Sequence, residues 1–479
     1  MTVPYGQIKS EIPMRRAHRL LSTGLSILAL CAAAAGTSTA EGAGAPAAAV
    51  LAGLPQTDWP AEGWWKAWND AQLDTLMSEA LANAPSVAEA DARLRKALAS
   101  TGGARARLLP TLDGNGVVKD IKQSYNEGFP PAFVPKGYNG FGHLSLDFDW
   151  EIDFWGKNRA AVAAATSDAR AAAADAAEAR LILETSIAAT YADLARLYAD
   201  RDVAERALVV RQETQALVAK RVDNGLDTQA ELSQAKAGPP SARADLAAID
   251  EDLAVTRNAL AALVGADPDR GSSIRRPTAT APTAPGLPAN IAANLIGRRP
   301  DITAARWRAE AASRRTAEAK AAFYPNINLA AYIGEEALHL DNMFASGSDI
   351  GGFGPAVNLP IFDGGQRKAN LRGARADRDA AVAAYKGAID QALREVADAV
   401  AGERALGERL QQSRAALAAD EDAHRIARLR YDGGLATYQS VLLAEDAVLA
   451  QRRVVADLES RALSLDIALI RALGGGFAA

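Results

Sequence analysis

The residues best suited to chemistry are acidic side chains that recur at every second position of one segment. Between positions 143 and 154, apolar residues alternate with the carboxylates of Asp147, Asp149, Glu151 and Asp153. Alternation with a period of two places the two sets on opposite faces of a β-strand. Two neighbouring carboxylates can act as general acid and base, but these acids follow one face, which favours the lining of a water-filled lumen. The opposite face, predicted to contact lipid, carries Leu144, Leu146, Phe148, Trp150 and Ile152.

Other kinds of catalytic chemistry have no sequence signal. The chain has only four histidines, and they do not form a metal-ligand spacing: His18, His143, His339 and His424. It has no phosphate-binding Gly-Lys-Ser/Thr loop and no Gly-x-Ser-x-Gly nucleophile motif. We therefore predict that the protein is not an enzyme and needs no cofactor. The net charge of −5, without a basic stripe, argues against a nucleic-acid partner.

The N-terminal segment has the features of a secretory signal. Arg15, Arg16 and Arg19 precede an apolar stretch over 20–35, which is followed by small residues up to Ala40. This order predicts a signal peptide over 1–40 with cleavage after Ala40. The alternative is lipidation of Cys31, because the residues before it resemble a lipobox, although Leu30 stands where a small residue is usual. As the chain's one cysteine, Cys31 also excludes an intramolecular disulfide.

The chain contains an internal repeat. Pro85 and Pro110 recur as Pro300 and Pro325 at a spacing of 215, and later motifs recur at a spacing of 209. The later pairs join Asp223–Thr228 to Asp432–Thr437 and Leu260–Gly265 to Leu469–Gly474. A constant offset over such a distance predicts duplicated structural units. We place the first repeat at 41–269, a Pro/Ala-rich linker at 270–290 and the second repeat at 291–479.

Each repeat is predicted to contain a helix, two strands and a long helical hairpin. The strands are expected at about 109–119 and 143–154, and again at about 326–334 and 353–361. The hairpins are expected over 157–265 and 367–473. The first hairpin starts with about 68 residues free of proline, which as one helix would span roughly 100 Å. Gly238-Pro239-Pro240 predicts a break or kink in the returning helix.

Four strands cannot seal a membrane pore by themselves. The smallest single-chain barrels have about eight strands, and an open sheet edge in lipid costs several kcal/mol for each unpaired backbone group. If these strands span a membrane, several chains must share them. The alternative at this point is a water-soluble sheet with one solvated face.

Several motifs together resemble TolC-type outer-membrane efflux proteins, most closely the NodT subgroup that works with resistance-nodulation-division pumps. They are Trp64-Trp65, Arg299-Pro300-Asp301-Ile302, Ala322–Pro325, Leu359–Gly365 and Arg471–Gly476. The resemblance implies an α+β membrane protein: a homotrimeric outer-membrane β-barrel, with four strands from each chain, continued by a periplasmic α-helical barrel. It also implies outer-membrane lipid, a periplasmic adaptor (membrane fusion) protein and an inner-membrane pump as partners.

The resemblance further implies that the adaptor docks at the hairpin tips. In this chain the tips are Asn224, Gly225, Leu226, Asp227 and Thr228, and Gly433, Gly434, Leu435, Ala436 and Thr437. A simpler interpretation is that these residues are helix caps, since glycine ends helices and threonine begins them. The two interpretations are compatible.

A periplasmic constriction is expected just after the second tip. Many relatives have Leu-Asp-Ala there, whereas this chain has Leu442-Leu443-Ala444. Leu443 thus replaces the acid and predicts an apolar gate that closes by dewetting. The residues assigned to the constriction are Gln439, Leu443, Glu445 and Asp446.

The predicted function is a passive outer-membrane exit duct for drugs or other small molecules in a tripartite efflux system. Two alternatives stay open at this point. One is a periplasmic coiled-coil adaptor or scaffold, and the other is the outer-membrane component of a protein secretion system.

Overall fold

A computed structural model describes residues 57–126, 128, 130–278, 287–288 and 291–478. The predicted signal peptide, the cleavage after Ala40, Cys31 and part of the predicted linker (279–286 and 289–290) lie outside these residues.

The first half of the described chain contains two strands and a long helical hairpin. A short 3-10 helix, Trp64–Trp68, precedes helices α1 (Ala71–Asn83) and α2 (Pro85–Ala106). Strands β1 (Thr111–Ile121) and β2 (Asn139–Glu151) follow. The hairpin consists of α3 (Lys157–Asp223) and α4 (Gln229–Leu263), and the short helix α5 (Pro268–Ser272) comes after it.

The second half has the same order of elements. Helices α6 (Ile291–Arg298) and α7 (Pro300–Ala321) precede strands β3 (Asn326–Leu338) and β4 (Asp349–Asn358). The second hairpin consists of α8 (Gln366–Asp432) and α9 (Tyr438–Ala472). Helices α3 and α8 have 67 residues each, and therefore a length of roughly 100 Å. No helix of the described residues combines the length and the apolarity needed to cross a bilayer.

The four strands form one antiparallel meander in the order β1-β2-β3-β4. Thr111 lies opposite Asp149, Asp149 opposite Ala330, and Ala330 opposite Gly354. Strand β2 ends at Glu151, three residues earlier than predicted, and β4 ends at Asn358. Pro355 is tolerated because β4 is an edge strand.

Asp153 ends β2 early because its carboxylate caps α3. The carboxylate accepts hydrogen bonds from the backbone N–H groups of Asn158 (3.2 Å) and Arg159 (2.8 Å). Asp363 does the same for α8, accepting from the N–H groups of Gly365 (3.0 Å) and Arg367 (2.9 Å). The hydrogen bond from Arg367, partly opposed by burial, holds the pKa of Asp363 below its usual value. The assignment of Asp153 to the lumen lining is therefore wrong, since a carboxylate at a helix N-terminus satisfies otherwise unpaired N–H groups.

Equivalent contacts hold each long helix in place in the two halves. The hydroxyl of Thr101 on α2 donates to the carbonyl of Ala165 on α3 (3.1 Å). The hydroxyl of Thr316 on α7 donates to the carbonyl of Ala374 on α8 (3.0 Å). Threonine thus crosslinks the helix before each strand pair to the helix after it.

Glycine ends both hairpins where the backbone makes a close approach. Gly265 has a φ of 73°, and a Cβ there would lie 2.7 Å from the carbonyl oxygen of Asn83. Gly474 has a φ of 91°, and a Cβ there would overlap the carbonyl oxygen of Arg298. Left-handed backbone and lack of space both require glycine, so these contacts explain why the two motifs repeat.

Helix α4 runs through Gly238-Pro239-Pro240 without interruption. The predicted break is therefore wrong, whereas the kink named as its alternative stays a prediction. Pro239 is buried in line with Ala235 and Ala242, and this spacing places the three residues on one face of the helix. The packing of that face stabilises α4 against the cost of roughly 3 kcal/mol for an interior proline.

Candidate functional site

The two faces of the sheet differ in chemistry. One face carries a connected set of polar side chains, in which Asn115 donates to the Asp147 carboxylate (2.6 Å) and the Ser145 hydroxyl donates to it as well (2.7 Å). A ring nitrogen of His143 lies 2.9 Å from Glu336 on β3. The Asp149 carboxylate accepts a hydrogen bond from the side-chain amide of Asn328, which also lies on β3 (3.3 Å). A polar face of this kind suits contact with water.

Glu151 occupies the end of the same polar face. Its carboxylate lies 2.6 Å from the ammonium group of Lys157, the first residue of α3. The structure therefore brings Asp147, Asp149 and Glu151 together on one face, as predicted, and excludes Asp153.

The opposite face of the sheet is apolar and exposed. Leu146 is 51% exposed, Ile333 68% and Phe353 92%. Leu144 and Trp150 are also exposed, Phe148 is half-buried, and Ile152 lies one residue beyond the end of β2. Exposed apolar side chains over a whole sheet face indicate a surface that meets lipid or another protein.

Tryptophans lie where the strands meet the helices. The indole N–H of Trp150 donates to the carbonyl of Leu108 (3.0 Å), and that of Trp155 donates to the carbonyl of Pro325 (3.0 Å). Trp155 also stacks on Tyr324, with 4.6 Å between the ring centroids. Aromatic rings with satisfied polar atoms are typical of the boundary between lipid and water.

The hairpin tips are tight turns with exposed leucines. Gly225 and Gly434 have φ values of 73° and 70°. Thr228 begins α4 with a capping box, in which its hydroxyl and the Glu231 carboxylate each bond the other residue's backbone N–H. Leu226 is 65% exposed and Leu435 is 74% exposed. Asn224, Gly433 and Thr437 are exposed too, whereas Ala436 is half-buried.

Asp227 is the exception among the tip residues because its side chain is only 6% exposed. Its carboxylate accepts a hydrogen bond from Arg221 on α3 (3.0 Å) and one from the Tyr431 hydroxyl at the end of α8. Arg221 also donates to the Tyr431 carbonyl (3.1 Å) and lies over the Tyr431 ring, 4.4 Å from its centroid. The tip cluster, Arg221, Asp227 and Tyr431, thus ties the first hairpin to the second.

Charge and burial reinforce the tip cluster. Burial, together with the hydrogen bond to Asp227, raises the pKa of the Tyr431 hydroxyl. The hydrogen bond from Arg221 to Asp227 raises the pKa of the Arg221 guanidinium. The tyrosine therefore stays neutral and the arginine charged at physiological pH, which are the forms that donate hydrogen bonds.

The residues assigned to the constriction separate into two groups. Leu443 is 65% exposed, and Gln439 and Asp446 are exposed as well. Glu445 is only 4% exposed, since it lies in the buried stripe of α9 with Val441 and Val448. The assignment of Glu445 to the constriction is therefore wrong.

Glu445 faces the first hairpin instead. Its carboxylate lies 3.4 Å from the guanidinium of Arg211 on α3, which also donates to Asp446 (3.2 Å). Burial raises the pKa of Glu445, and the nearby Arg211 partly offsets that rise. Beside this pair, a cleft of about 170 Å³ opens between α3, α4 and α9. Arg211 is thus a second link between the hairpins.

Among the described residues, no group of three or more His, Cys, Asp or Glu side chains is arranged to hold a metal ion. The polar features that the described residues provide are one face of the sheet and the ionic links between the hairpins.

The arrangement of paired strands and long hairpins is shared with known proteins. The family described as outer membrane efflux protein matches residues 76–266 and 292–475. The chain belongs to this family. The protein is therefore an outer-membrane efflux protein, located in the outer membrane, and the predicted α+β fold class is confirmed. The family is one of transport proteins rather than of enzymes.

Individual relatives agree with this assignment. The chain is 31% identical over 434 residues to the multidrug resistance outer membrane protein MdtP of Shigella flexneri, covering 89% of this chain and 88% of MdtP. It is 36% identical over 335 residues to the fusaric acid resistance protein FusA of Burkholderia cepacia. That match covers 69% of this chain but 62% of FusA, less than two thirds of its length. The crystal structure of the outer membrane protein VceC from Vibrio cholerae superposes with a TM-score of 0.81 and 47% identity, over 88% of this chain and 100% of VceC.

Sequence reasoning missed Arg221, Tyr431 and Arg211. Each lies on a long helix among other charged or aromatic residues, and nothing in its spacing marks it. The one available signal for Tyr431 was its place two residues before the second tip, in a chain with only ten tyrosines.

Proposed function

We propose that three copies of this chain form a passive exit duct for drugs or other small molecules. A periplasmic adaptor and an inner-membrane resistance-nodulation-division pump deliver these molecules to the duct. The observation that carries the proposal is a four-stranded sheet with one polar face, one exposed apolar face and two unpaired edges. The resistance named in FusA and MdtP supports small molecules, rather than proteins, as the cargo.

The unpaired edges are the reason for oligomerisation. Among the residues that the structure describes, strands β1 and β4 each have a neighbour on one side only. In lipid the free backbone groups of each edge would cost several kcal/mol apiece. Three copies of a four-stranded sheet supply twelve strands, which is enough to close a barrel. The apolar face then meets outer-membrane lipid, and the polar face lines the lumen.

The lumen acids are expected to make the duct prefer cations. Replacing Asp147 and Asp149 together by Asn removes two carboxylates from each copy and keeps the side-chain shape. We expect the cation-to-anion permeability ratio, measured from reversal potentials in planar bilayers, to fall about threefold or more because rings of acids concentrate cations. Glu89→Gln on α2, outside the sheet, is the matched control. An unchanged ratio in the double variant would place the selectivity elsewhere.

Leu443 is proposed as the apolar part of the periplasmic constriction. Its side chain is 65% exposed in the single chain, so it is free to face a shared lumen. Leu443→Ser is expected to raise the resting conductance of reconstituted channels severalfold, because a polar ring wets more readily than an apolar one. Val454 lies on the same helix and is 41% exposed, so Val454→Ser should leave the resting conductance unchanged. Equal conductance in the two variants would contradict the assignment.

A further inference from the structure

The ring of His143 contacts a hydrogen-bond acceptor on each side. On one side, Nδ1 lies 2.9 Å from a carboxylate oxygen of Glu336 on β3. On the other side, Nε2 lies 3.2 Å from the hydroxyl oxygen of Ser145, two residues further along β2. The Ser145 hydroxyl in turn donates a hydrogen bond to the Asp147 carboxylate (2.7 Å). The four side chains thus form one continuous series of contacts on the polar face of the sheet.

The number of available protons decides which form of the ring fits these contacts. An ionised carboxylate can only accept hydrogen bonds, and a serine hydroxyl has a single proton to donate. Because the Ser145 proton is directed at Asp147, both ring nitrogens of His143 need a proton of their own. A neutral ring carries one proton, so one of the three contacts is lost in that form. Only the positively charged ring makes all three.

Burial makes this accounting strict at one end and opens the other end to water. Ser145 is only 3% exposed, so its hydroxyl depends on neighbouring side chains for hydrogen bonds. Asn115 on β1 also donates to the Asp147 carboxylate (2.6 Å) and holds it in place. The side chains of His143 and Glu336 are 26% and 45% exposed. The charge of this pair therefore acts on the water beside the sheet.

The groups that surround His143 carry negative charge. On β1, Val117 lies directly opposite His143 and adds no charge. Lys119, two residues further along β1, packs over a phenylalanine ring. Among the residues that the structure describes, neither Glu336 nor Asp147 has a lysine or arginine within salt-bridge distance. His143 is thus the group that offsets these two carboxylates.

We propose that His143 is a specificity residue of the lumen, whose charge sets how strongly the outer part of the duct attracts cations. The proposal rests on the proposed function, in which the polar face of the sheet lines the lumen. His143 is the fifth residue of β2, and helix α3 follows the other end of that strand. It therefore lies toward the outer mouth of the duct.

The charge of this residue depends on pH in the physiological range. Histidine is the side chain whose charge ordinarily changes between about pH 5 and pH 8. Below this range the His143 ring is charged and offsets one carboxylate in each copy. Above it the ring is neutral, and each copy presents one more net negative charge to the lumen. Because rings of carboxylates favour cations, the preference of the duct for cations increases as the pH rises. A cationic small molecule is held less strongly at the outer mouth when the surroundings are acidic.

Reversal potentials in planar bilayers, measured with the full-length protein at about pH 5.5 and about pH 8, test this proposal. Two variants reproduce the two forms of the ring: His143→Gln is neutral at both pH values, and His143→Lys is charged at both. The wild-type cation-to-anion permeability ratio should be about twofold or more higher at the higher pH, since one charge in each copy changes. At both pH values, His143→Gln should keep the high ratio and His143→Lys the low one.

Other groups that titrate in this range are present in every variant. Burial raises the pKa of Glu178 and Glu403 on the long helices to about 7. His424 on α8 and His339 between β3 and β4 are also unchanged. Any response of these groups appears in His143→Gln as well, so the difference between that variant and the wild type belongs to His143. Aspartate and glutamate carboxyls ordinarily titrate near pH 4, and those of the lumen stay charged throughout.

The outcomes separate this proposal from the proposed function. A wild-type ratio that changes with pH no more than the ratio of His143→Gln would overturn the role of His143. If the double replacement of Asp147 and Asp149 by Asn still lowers the ratio, the polar face lines the lumen and only the role of His143 falls. If the double variant and both His143 variants all match the wild type, the polar face does not line the conducting path, and both proposals fall.

Discussion

Asp227→Ala is expected to raise the resting conductance of the reconstituted channel about tenfold. The Asp227 carboxylate is buried and accepts hydrogen bonds from Arg221 on the first hairpin and Tyr431 on the second. Hydrogen bonds to charged groups contribute about 1.5–3 kcal/mol each. Loss of 1.4 kcal/mol changes an equilibrium tenfold, so removal of this carboxylate should shift the hairpins from joined to separated. Single-channel recordings in planar bilayers measure the change.

Two further variants distinguish the hairpin link from a general loss of stability. Tyr431→Phe removes the hydroxyl that bonds Asp227 but keeps the ring under Arg221. The resting conductance of the Tyr431→Phe channel should therefore rise less than that of the Asp227→Ala channel. Asp398→Asn removes an exposed carboxylate that pairs with Arg394 one turn away on the same helix, and it should have no effect. If Asp227→Ala and Asp398→Asn conduct alike while both form normal trimers, the tip cluster does not hold the channel closed.

The sequence was sufficient for the features that depend on periodicity. The alternation through Leu144, Leu146 and Trp150 placed three apolar residues on the exposed face of β2, because strand geometry alone decides which face a side chain occupies. The proline-free stretch after Gly156 predicted one long helix, and α3 runs from Lys157 to Asp223. Repeated motifs such as Leu260–Gly265 marked positions where glycine meets another backbone segment.

The sequence was not sufficient where a contact with another element decides the role of a residue. Asp153 continued the alternation of β2, but the N–H groups of α3 bind its carboxylate and end the strand. Glu445 was predicted to line the periplasmic constriction because its partner, Arg211, is more than two hundred positions away in the chain. Pro239 was predicted to break the helix, because helix propensity is a local property and does not include the packing that keeps α4 continuous. For Asp153 a local helix cap, and for Glu445 and Pro239 a tertiary contact, outweighed the pattern read from the sequence.

The link at Arg211 also bears on the free energy that keeps the two hairpins joined. The Arg211–Glu445 pair is buried, and a buried ion pair gains little over solvated charges. An apolar pair at the same place would strongly favour the joined hairpins. The ionic link between Arg211 and Glu445 therefore makes separation of the hairpins less costly than an apolar contact at the same place would.

Leu435→Asp is expected to reduce pump-dependent drug resistance about tenfold or more. Leu435 is 74% exposed at the second tip, where the adaptor is proposed to bind. A hot-spot residue at the centre of an interface contributes about 2 kcal/mol or more, and a buried unpaired carboxylate adds a further cost. Leu226→Asp at the first tip should act in the same direction. The measurement is the minimal inhibitory concentration in cells that express the pump and adaptor.

Leu435→Asp is a cleaner test than Gly434→Glu, although both place a charge at the tip. Gly434 has a φ of 70°, so any side chain there also strains the turn, and a loss of resistance would have two causes. Leu98→Asp on α2 is the matched control, since Leu98 is 55% exposed and far in sequence from either tip. Trimer level and outer-membrane location should be unchanged in all three leucine variants. Full resistance in both tip variants would mean that the adaptor binds another surface. A charge placed in the centre of an apolar contact would lower the affinity for the adaptor and therefore the resistance.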